Sequence, residues 1–114
     1  VLGISADDSA ASIRETVRAI IAGMGDLLGS SGAELAAARE IEVDDAHVGD
    51  GYGVPSAASR EAVDLLARHE AMFVDHTYTA KALAGLIHHV RRGTFADSQT
   101  VLFWHTGGQV GLFA

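Results

Sequence analysis

The chain has 114 residues, enough for one domain with a substantial buried core, and 48% of them are hydrophobic. No apolar run approaches the roughly 20 residues of a membrane-spanning helix. A net charge of −7 without a compensating basic cluster argues against nucleic acid or an anionic membrane as a partner. The absence of cysteine excludes disulfides and thiolate metal sites, and we expect a cytoplasmic protein.

The first half of the chain predicts two short strands separated by helix. Val1–Ile4 is an apolar run of strand type, and residues 7–9 (Asp-Asp-Ser) follow it with side chains that can cap a helix. Apolar residues then recur at helical spacing at Ile13, Val17, Ile20, Ile21, Met24 and Leu28. Residues 29–32 interrupt this pattern with glycines. A weaker helical turn is predicted over Ala33–Glu40, and Ile41–Val43 predicts the second strand.

An irregular loop follows at residues 48–55, where three glycines and the only proline of the chain occur together. Tyr52 lies between Gly51 and Gly53, which favours a functional loop because a ligand can approach this backbone closely. Ser56 then predicts the N-cap of another helix. The apolar side of that helix comprises Ala58, Ala62, Val63 and Leu66.

The second half of the chain repeats the alternation of strand and helix. Met72–Val74 predicts a strand that ends at Asp75, and a helix follows residues 76–79. The inward-facing residues of this helix are Ala82, Leu83, Leu86, Ile87 and Val90. Gly93 ends the helix, and Val101–Trp104 predicts a last buried strand.

This alternation indicates an α/β fold, with a mostly parallel sheet and helices on both faces. We expect residues 1–114 to form a single α/β unit. The chain begins within a predicted apolar strand, and its first residue is neither a methionine nor polar. We therefore expect it to be a piece of a longer protein.

The segments that follow parallel strands converge at one edge of the sheet, where ligands bind. Here those segments contribute Tyr52, Tyr78–Thr79 and His105–Gly108. Their hydroxyls and bare glycine backbone suit a flat aromatic ring and a small polar substrate. Two structural alternatives stay open. Tyr52 and Tyr78 can be core aromatics with satisfied hydroxyls, and Gly107–Gly108 can be a plain turn after a buried strand.

Other catalytic chemistry has little support in the sequence. The six histidines show no spacing typical of a zinc site, and His88 and His89 cannot both face one ion from a helix. No serine lies in a Gly-x-Ser-x-Gly turn, which is typical of the nucleophile of a serine-histidine triad. We expect neither a metal site nor a triad.

Three blocks of the sequence resemble one family of enzymes. They are Gly51-Tyr52-Gly53-Val54-Pro55, Asp75-His76-Thr77-Tyr78-Thr79-Ala80-Lys81-Ala82 and His105-Thr106-Gly107-Gly108. In content, order and spacing they are similar to the pyridoxal-phosphate-dependent D-cysteine desulfhydrases and 1-aminocyclopropane-1-carboxylate deaminases, a family that includes cysteate sulfo-lyases. The resemblance implies a tryptophan-synthase-β-like fold (fold type II) with two α/β domains and pyridoxal phosphate between them. This chain would be the C-terminal part of such an enzyme.

The resemblance also implies roles for individual residues. Tyr52 resembles the family tyrosine close to the substrate, and Tyr78 resembles the one beside the cofactor. Thr79 stands where the deaminases carry a glutamate next to the pyridine nitrogen. Thr106 stands where the deaminases carry leucine and the desulfhydrases carry threonine. These two threonines and Gly107 are the expected cofactor-binding residues.

Both threonine positions point to a desulfhydrase and away from ring opening. A carboxylate beside the pyridine nitrogen strengthens the electron sink more than a hydroxyl does, and loss of a thiolate demands less of that sink. The implied reaction removes the α-proton of D-cysteine, eliminates the β-substituent and yields pyruvate, sulfide and ammonia. His76, Thr77 and Ala80 depart from the usual family residues, which leaves cysteate or another β-substituted alanine open as the substrate. A 1-aminocyclopropane-1-carboxylate deaminase is a further alternative.

The lysine that binds the cofactor covalently belongs to the earlier portion of the family and is absent from this chain. Lys81 resembles the lysine of the family's tyrosine block, and we expect it to pack or pair locally. The chain alone is therefore expected to be inactive, and the competing interpretation is a truncated, non-enzymatic α/β module or interaction domain. The expected partners are a small amino-acid substrate and a second copy, in a homodimer or through self-association by an exposed face.

Overall fold

The computed structural model describes residues 1–37, 40–108 and 111 and has an α/β architecture. Along the chain the elements are β1 (Leu2–Ile4), α1 (Ala10–Leu28), α2 (Gly32–Ala37), β2 (Glu42–Asp44), α3 (Ala57–Glu70) and α4 (Thr79–Arg91). The predicted α/β class is confirmed. The predicted turn Ala33–Glu40 coincides with α2 as far as Ala37, and its positions 38 and 39 lie outside the described residues.

Helices α1 and α3 begin at the serines that the sequence predicts as caps. The Ser9 hydroxyl accepts a hydrogen bond from the Ser12 amide at 3.3 Å. At α3 the Ser56 hydroxyl accepts from the Ser59 amide at 3.1 Å, and the Ser59 hydroxyl accepts from the Ser56 amide at 2.9 Å. Such caps satisfy amides that have no partner within the helix and contribute about 1 kcal/mol each. Helix α1 ends at Gly29, which has a left-handed φ of 65°.

Strands β1 and β2 pair in parallel, with Leu2 opposite Glu42 and Ile4 opposite Asp44. The Ser5 amide extends the ladder by donating to the Asp44 carbonyl at 2.8 Å. Helices α1 and α2 lie between the two strands in sequence and supply the long connection that a parallel pair requires.

Helices α1 and α4 attach to the sheet in different ways. Arg14 of α1 donates from Nε to the Ile41 carbonyl and from Nη2 to the Val43 carbonyl, both at 3.1 Å. In α4, a Cβ at Gly85 would lie 2.9 Å from Cδ1 of Ile4 in β1. The missing side chain at Gly85 therefore lets α4 approach β1 closely.

The buried core lies around α3 and α4 and is built mainly from small side chains. Its fully or almost fully buried members are Ala62, Val74, Ala80, Leu83 and Ala84. On the outside of the same two helices, the Arg91 guanidinium donates to both carboxylate oxygens of Glu61, at 2.6 and 3.1 Å. The short alanine side chains allow the two helices to pack closely.

Two of the predicted strands are wrong, because Met72–Val74 and Val101–Trp104 are irregular in the structure. In the second segment the side chains of Leu102 and Trp104 are 79% and 78% exposed, where the sequence predicts burial. A strand needs an adjacent backbone to complete its ladder. In the described part of the chain, neither segment pairs with β1 or β2. An apolar run of strand length does not by itself specify a pairing partner.

Candidate active site

A cleft of about 720 Å³ lies between β1, one side of α4 and the segment 95–106. Its wall is mostly apolar and includes Leu2, Ile4, Ala82, Leu86, Phe103 and Trp104. Three of the predicted site residues also line it, namely Tyr78, Thr79 and Thr106. The structure therefore brings together residues from two of the three sequence blocks at one cleft, which we call the Tyr78 cleft.

Tyr52 joins the site through its contact with Tyr78. The two hydroxyls are hydrogen-bonded to each other, although the residues are 26 positions apart. The rings meet edge to face, with their centroids 5.6 Å apart and their planes at 70°. Tyr52 is 57% exposed and Tyr78 is 48% exposed. Neither tyrosine is therefore a buried core residue, which was the structural alternative to a site.

The hydrogen bond with Tyr52 raises the pKa of Tyr78 above its ordinary value. Partial burial acts in the same direction, and so do the carboxylates of Asp75 and Asp7. Tyr78 is therefore a weaker acid than an ordinary tyrosine.

The start of α4 is organised by the buried carboxylate of Asp75. Its Oδ2 accepts from the amides of Thr77 and Tyr78 at 2.9 and 2.8 Å. Its Oδ1 accepts from the Thr79 amide at 2.9 Å and from the Thr79 hydroxyl at 2.6 Å. Burial by itself raises the pKa of Asp75, but the hydrogen bonds from Thr79, Tyr78 and Thr77 outweigh it and lower the pKa.

The Thr79 hydroxyl is therefore occupied within the protein. It donates to Asp75 and also accepts from the Asp75 amide at 3.0 Å. Thr106 differs, because it is exposed at the Tyr78 cleft and its hydroxyl makes no hydrogen bond with the residues that the structure describes. Of the two threonines predicted to bind the cofactor, Thr106 has the side chain that is open to a ligand.

The predicted glycine turn after Thr106 packs against the start of α4. The Gly107 amide donates to Nδ1 of His105 at 3.1 Å, and Nε2 of His105 then donates to the Phe73 carbonyl at 3.2 Å. Gly107 and Gly108 have left-handed φ values of 108° and 96°. A Cβ at Gly108 would overlap the Asp75 carboxylate. Gly107 itself lies next to the Tyr78 cleft and does not line it.

Sequence reasoning missed the roles of Asp75 and Lys81. Asp75 precedes Tyr78 by three residues, a spacing at which an aspartate can cap the next helix, so this signal was available in the sequence. Lys81, the only lysine of the chain, is fully buried and donates to the carbonyls of Ala6 and Gly51 at 3.0 and 2.6 Å. Its full burial agrees with the expectation that it packs, but its hydrogen bonds are long-range, so local pairing is wrong.

A second group of titratable residues lies at the end of β2. Asp44 contacts His89 at 2.9 Å and His47 at 3.8 Å, and the His47 ring meets the His88 ring edge to face. In residues 1–37, 40–108 and 111, no three histidine, aspartate or glutamate side chains are arranged to hold a metal ion. Among the described helices, none has both the length and the apolar character needed to cross a membrane.

The Tyr78 cleft suits a flat heteroaromatic ring. Its volume of about 720 Å³ lies within the roughly 300–1,000 Å³ of typical ligand pockets. Apolar side chains cover most of the wall, and the hydroxyls of Tyr78 and Thr106 add a few polar groups, as in most cofactor sites. Lys81 does not line the cleft, so the chain supplies non-covalent contacts there.

Residues 1–107 match the family described as pyridoxal-phosphate dependent enzyme. The matched range contains β1, β2, the four described helices and every predicted site residue from Tyr52 to Gly107. The cofactor is pyridoxal phosphate, in agreement with the ring-sized and largely apolar Tyr78 cleft. The chain therefore belongs to the pyridoxal-phosphate-dependent enzyme family.

Proposed function

We propose that this chain is the C-terminal part of a two-domain, fold type II enzyme that eliminates the β-substituent of a small amino acid, most like a D-cysteine desulfhydrase. The observation that carries the proposal is the contact of Tyr52 with Tyr78, a residue that lines the Tyr78 cleft. Both tyrosines lie in blocks that resemble the desulfhydrase and deaminase family. The overall conversion is D-cysteine plus water to pyruvate, sulfide and ammonia.

Pyridoxal phosphate supplies the electron sink that allows an amino acid to lose its α-proton. The side chains of Tyr78 and Thr106 would hold the ring, since both line the Tyr78 cleft. We assign the hydrogen bond to the pyridine nitrogen to Thr106, because the Thr79 hydroxyl is already bonded to Asp75. Thr79 would then shape the wall and fix the start of α4.

The tyrosine pair would handle protons next to the substrate. The raised pKa makes the Tyr78 phenol a weaker acid than an ordinary tyrosine, so at neutral pH it stays protonated and can donate a hydrogen bond to the substrate. The Tyr52 hydroxyl is hydrogen-bonded to that of Tyr78, and either hydroxyl can be the donor. Since both side chains are about half exposed, a substrate can approach them from the open side of the pair.

The choice of a sulfur-eliminating reaction rests on the two threonines. Neither Thr79 nor Thr106 brings a carboxylate to the pyridine nitrogen, so the ring would receive a neutral hydrogen bond at most. Such a site favours departure of a stable thiolate over cleavage of a carbon-carbon bond. Cysteate and other β-substituted alanines satisfy the same requirement, so they are the first alternative substrates.

A substrate panel tests the proposal with the intact protein and added pyridoxal phosphate. We expect D-cysteine to give sulfide, pyruvate and ammonia in equal amounts, and 1-aminocyclopropane-1-carboxylate to give no ammonia. The matched variants are Thr106→Ser, which keeps the hydroxyl, and Thr106→Val, which removes it at nearly constant volume. Activity retained by serine and lost with valine supports the assignment of Thr106. Ammonia from the cyclopropane substrate, or no product from any β-substituted alanine, would refute the desulfhydrase.

A non-enzymatic α/β module is the second candidate function, because this chain places no lysine at the Tyr78 cleft and an enzyme would need one from the earlier portion of the family. The single lysine of the chain is buried and bonded to two carbonyls, so it cannot attach the cofactor. The absorption spectrum of the intact protein separates the two candidates. An enzyme should show a visible band of bound pyridoxal phosphate that borohydride reduction fixes covalently, whereas a module should show neither.

We further propose that the protein works in the cytoplasm and associates with a second copy. The cysteine-free composition fits a reducing compartment. Large apolar side chains of α1 are exposed away from the Tyr78 cleft at Ile20, Leu27 and Leu28, and such surface is typically covered in an assembly. Sedimentation should show a dimer or larger species, and a strictly monomeric protein would argue against association.

A further inference from the structure

We propose that Lys81 is a positioning residue that holds the Tyr52 loop, residues 48–55, against Tyr78 and thereby sets the hydroxyl pair of the candidate site. Lys81 is fully buried in the first turns of α4. Its Nζ donates to the carbonyl of Gly51, 30 positions away, and to that of Ala6, 75 positions away. One ammonium thus joins α4, the Tyr52 loop and the turn after β1. The inference rests on the proposed role of the tyrosine pair.

The contact with Gly51 is a short hydrogen bond from Lys81 to the backbone of the Tyr52 loop. Lys81 Nζ lies 2.6 Å from the Gly51 carbonyl oxygen. The backbone hydrogen bonds within this part of the chain are longer, at 3.3 Å from the Val54 amide to Gly51 and 3.4 Å from the Val48 amide to the Asp45 carbonyl. Gly51 and Gly53 have left-handed φ values of 129° and 72°, so the loop has little regular structure to hold it.

The positions of the residues along the chain connect the tether directly to the site. Gly51 is the immediate neighbour of Tyr52, and Lys81 follows Tyr78 by three residues, which is almost one turn of helix. Tyr78 immediately precedes α4, and the first turn of that helix carries the ammonium that is hydrogen-bonded to the loop of Tyr52. A small shift of the ammonium would therefore move the backbone next to Tyr52.

A buried ammonium is a costly way to fill space. Removing a cation from water is unfavourable, and an apolar side chain of similar size commonly serves the core as well or better. Among the described residues, no carboxylate forms an ion pair with Lys81. What the ammonium provides, and an apolar side chain cannot, is donation to two loop carbonyls at once.

The test uses a property of Tyr78 that needs neither substrate nor turnover. The pKa of Tyr78 is raised mainly by its hydrogen bond with Tyr52. If Lys81 holds Tyr52 in place, Lys81→Met should lower the Tyr78 pKa to the value found in Tyr52→Phe. Tyrosine labelled with ¹³C at Cζ reports this pKa by NMR in the intact protein, and the tyrosine variants assign the signals.

Three further variants separate positioning from general loosening. In the double variant of Lys81→Met and Tyr52→Phe, the Tyr78 pKa should equal that of either single variant. Lys81→Arg keeps a cationic donor and should restore part of the shift. Leu83→Ala damages the buried side of the same helix and should leave the Tyr78 pKa unchanged. An unchanged Tyr78 pKa in Lys81→Met, or an equal fall in Leu83→Ala, would overturn the inference.

A measurement on the unaltered protein covers the case in which Lys81→Met does not fold. The Lys81 ammonium signal in ¹⁵N NMR should be protected from solvent exchange and should couple to the Gly51 carbonyl carbon through the hydrogen bond. A rapidly exchanging, uncoupled ammonium would refute the tether.

An activity assay keeps this inference distinct from the proposed function. With D-cysteine, Lys81→Met should lower kcat by the same factor as Tyr52→Phe, on the order of 10² if the pair acts in proton transfer, with little change in KM. An unaltered protein that is inactive on every β-substituted alanine would refute the lyase, while the NMR result would still decide the role of Lys81.

Discussion

Replacing Asp75 with asparagine should destabilise the start of α4 while keeping the size of the side chain. The carboxylate accepts four hydrogen bonds, from the amides of Thr77, Tyr78 and Thr79 and from the Thr79 hydroxyl. It also places a negative charge at the N-terminus of α4, where the helix dipole favours it. Asparagine has only one side-chain acceptor atom, so its amino group must face at least one of these amides.

The magnitude follows from that mismatch. One buried amide left without an acceptor costs about 1–3 kcal/mol. The hydrogen bonds that survive lose their charge assistance, which roughly halves them. We therefore expect Asp75→Asn to lower the free energy of unfolding by about 2–4 kcal/mol at pH 7. The matched control is Asp64→Asn, which removes an exposed pair with Arg68 on α3 and should cost less than about 0.5 kcal/mol.

The difference in unfolding free energy between the parent and Asp75→Asn should also depend on pH. Because the pKa of Asp75 is lower in the folded protein than in the unfolded chain, the unfolded chain takes up the proton first as the pH falls. The contribution of Asp75 is therefore complete above about pH 4 and is lost as the pH falls through the folded pKa. Urea unfolding followed by circular dichroism should show that the gap in unfolding free energy between the parent and Asp75→Asn narrows below pH 4. A gap that stays constant on acidification, or one no larger than for Asp64→Asn, would refute the role of the carboxylate.

Three more substitutions test the packing and the charges around the site. Gly108→Ala should be much more destabilising than Gly107→Ala in thermal unfolding: both have positive φ, but only a Cβ at Gly108 meets a carboxylate, and equal losses would contradict this. Gly85→Ala should cost about 1–3 kcal/mol by overpacking, and Ile4→Ala should recover part of that loss in a double-mutant cycle; strict additivity would exclude their contact. His47→Asn should flatten the rise in stability from about pH 5 to pH 7, since burial depresses the pKa of His47 and the unfolded chain binds its proton first on acidification; an unchanged slope in urea unfolding would refute this.

Local chemistry made part of the fold predictable. Ser9 and Ser56 are helix caps because their hydroxyls accept hydrogen bonds from amides three residues away. Both partners of such a bond lie within four consecutive residues, so the sequence alone indicates it. The parallel pair of β1 and β2 was predictable because two short apolar runs are separated by a segment whose apolar residues recur at helical spacing. The prediction of a strand at Val101–Trp104 was wrong. Its apolar pattern is typical of a strand, but it has no strand partner among the described residues.

The candidate site was predictable to a similar extent. The family blocks assigned both tyrosines to one site, and the structure places Tyr52 against Tyr78. The predicted convergence at strand ends does not explain this contact, because the segment before Tyr78 is not a strand. The fixed hydroxyl of Thr79 and the tether at Lys81 could not be predicted, since both depend on which buried groups meet after folding. Lys81 in particular contacts carbonyls 30 and 75 residues away, and no periodicity encodes such a contact.

The most direct test of the proposed active site is sulfide release from D-cysteine by the intact protein with pyridoxal phosphate, compared between the parent and Tyr78→Phe. The substitution removes one hydroxyl from the Tyr78 cleft and leaves the ring in place. We expect steady sulfide release by the parent and a fall in kcat on the order of 10² in the variant, with the visible band of the cofactor retained. Undiminished release by Tyr78→Phe, or no release by a parent that binds the cofactor, would contradict the assignment.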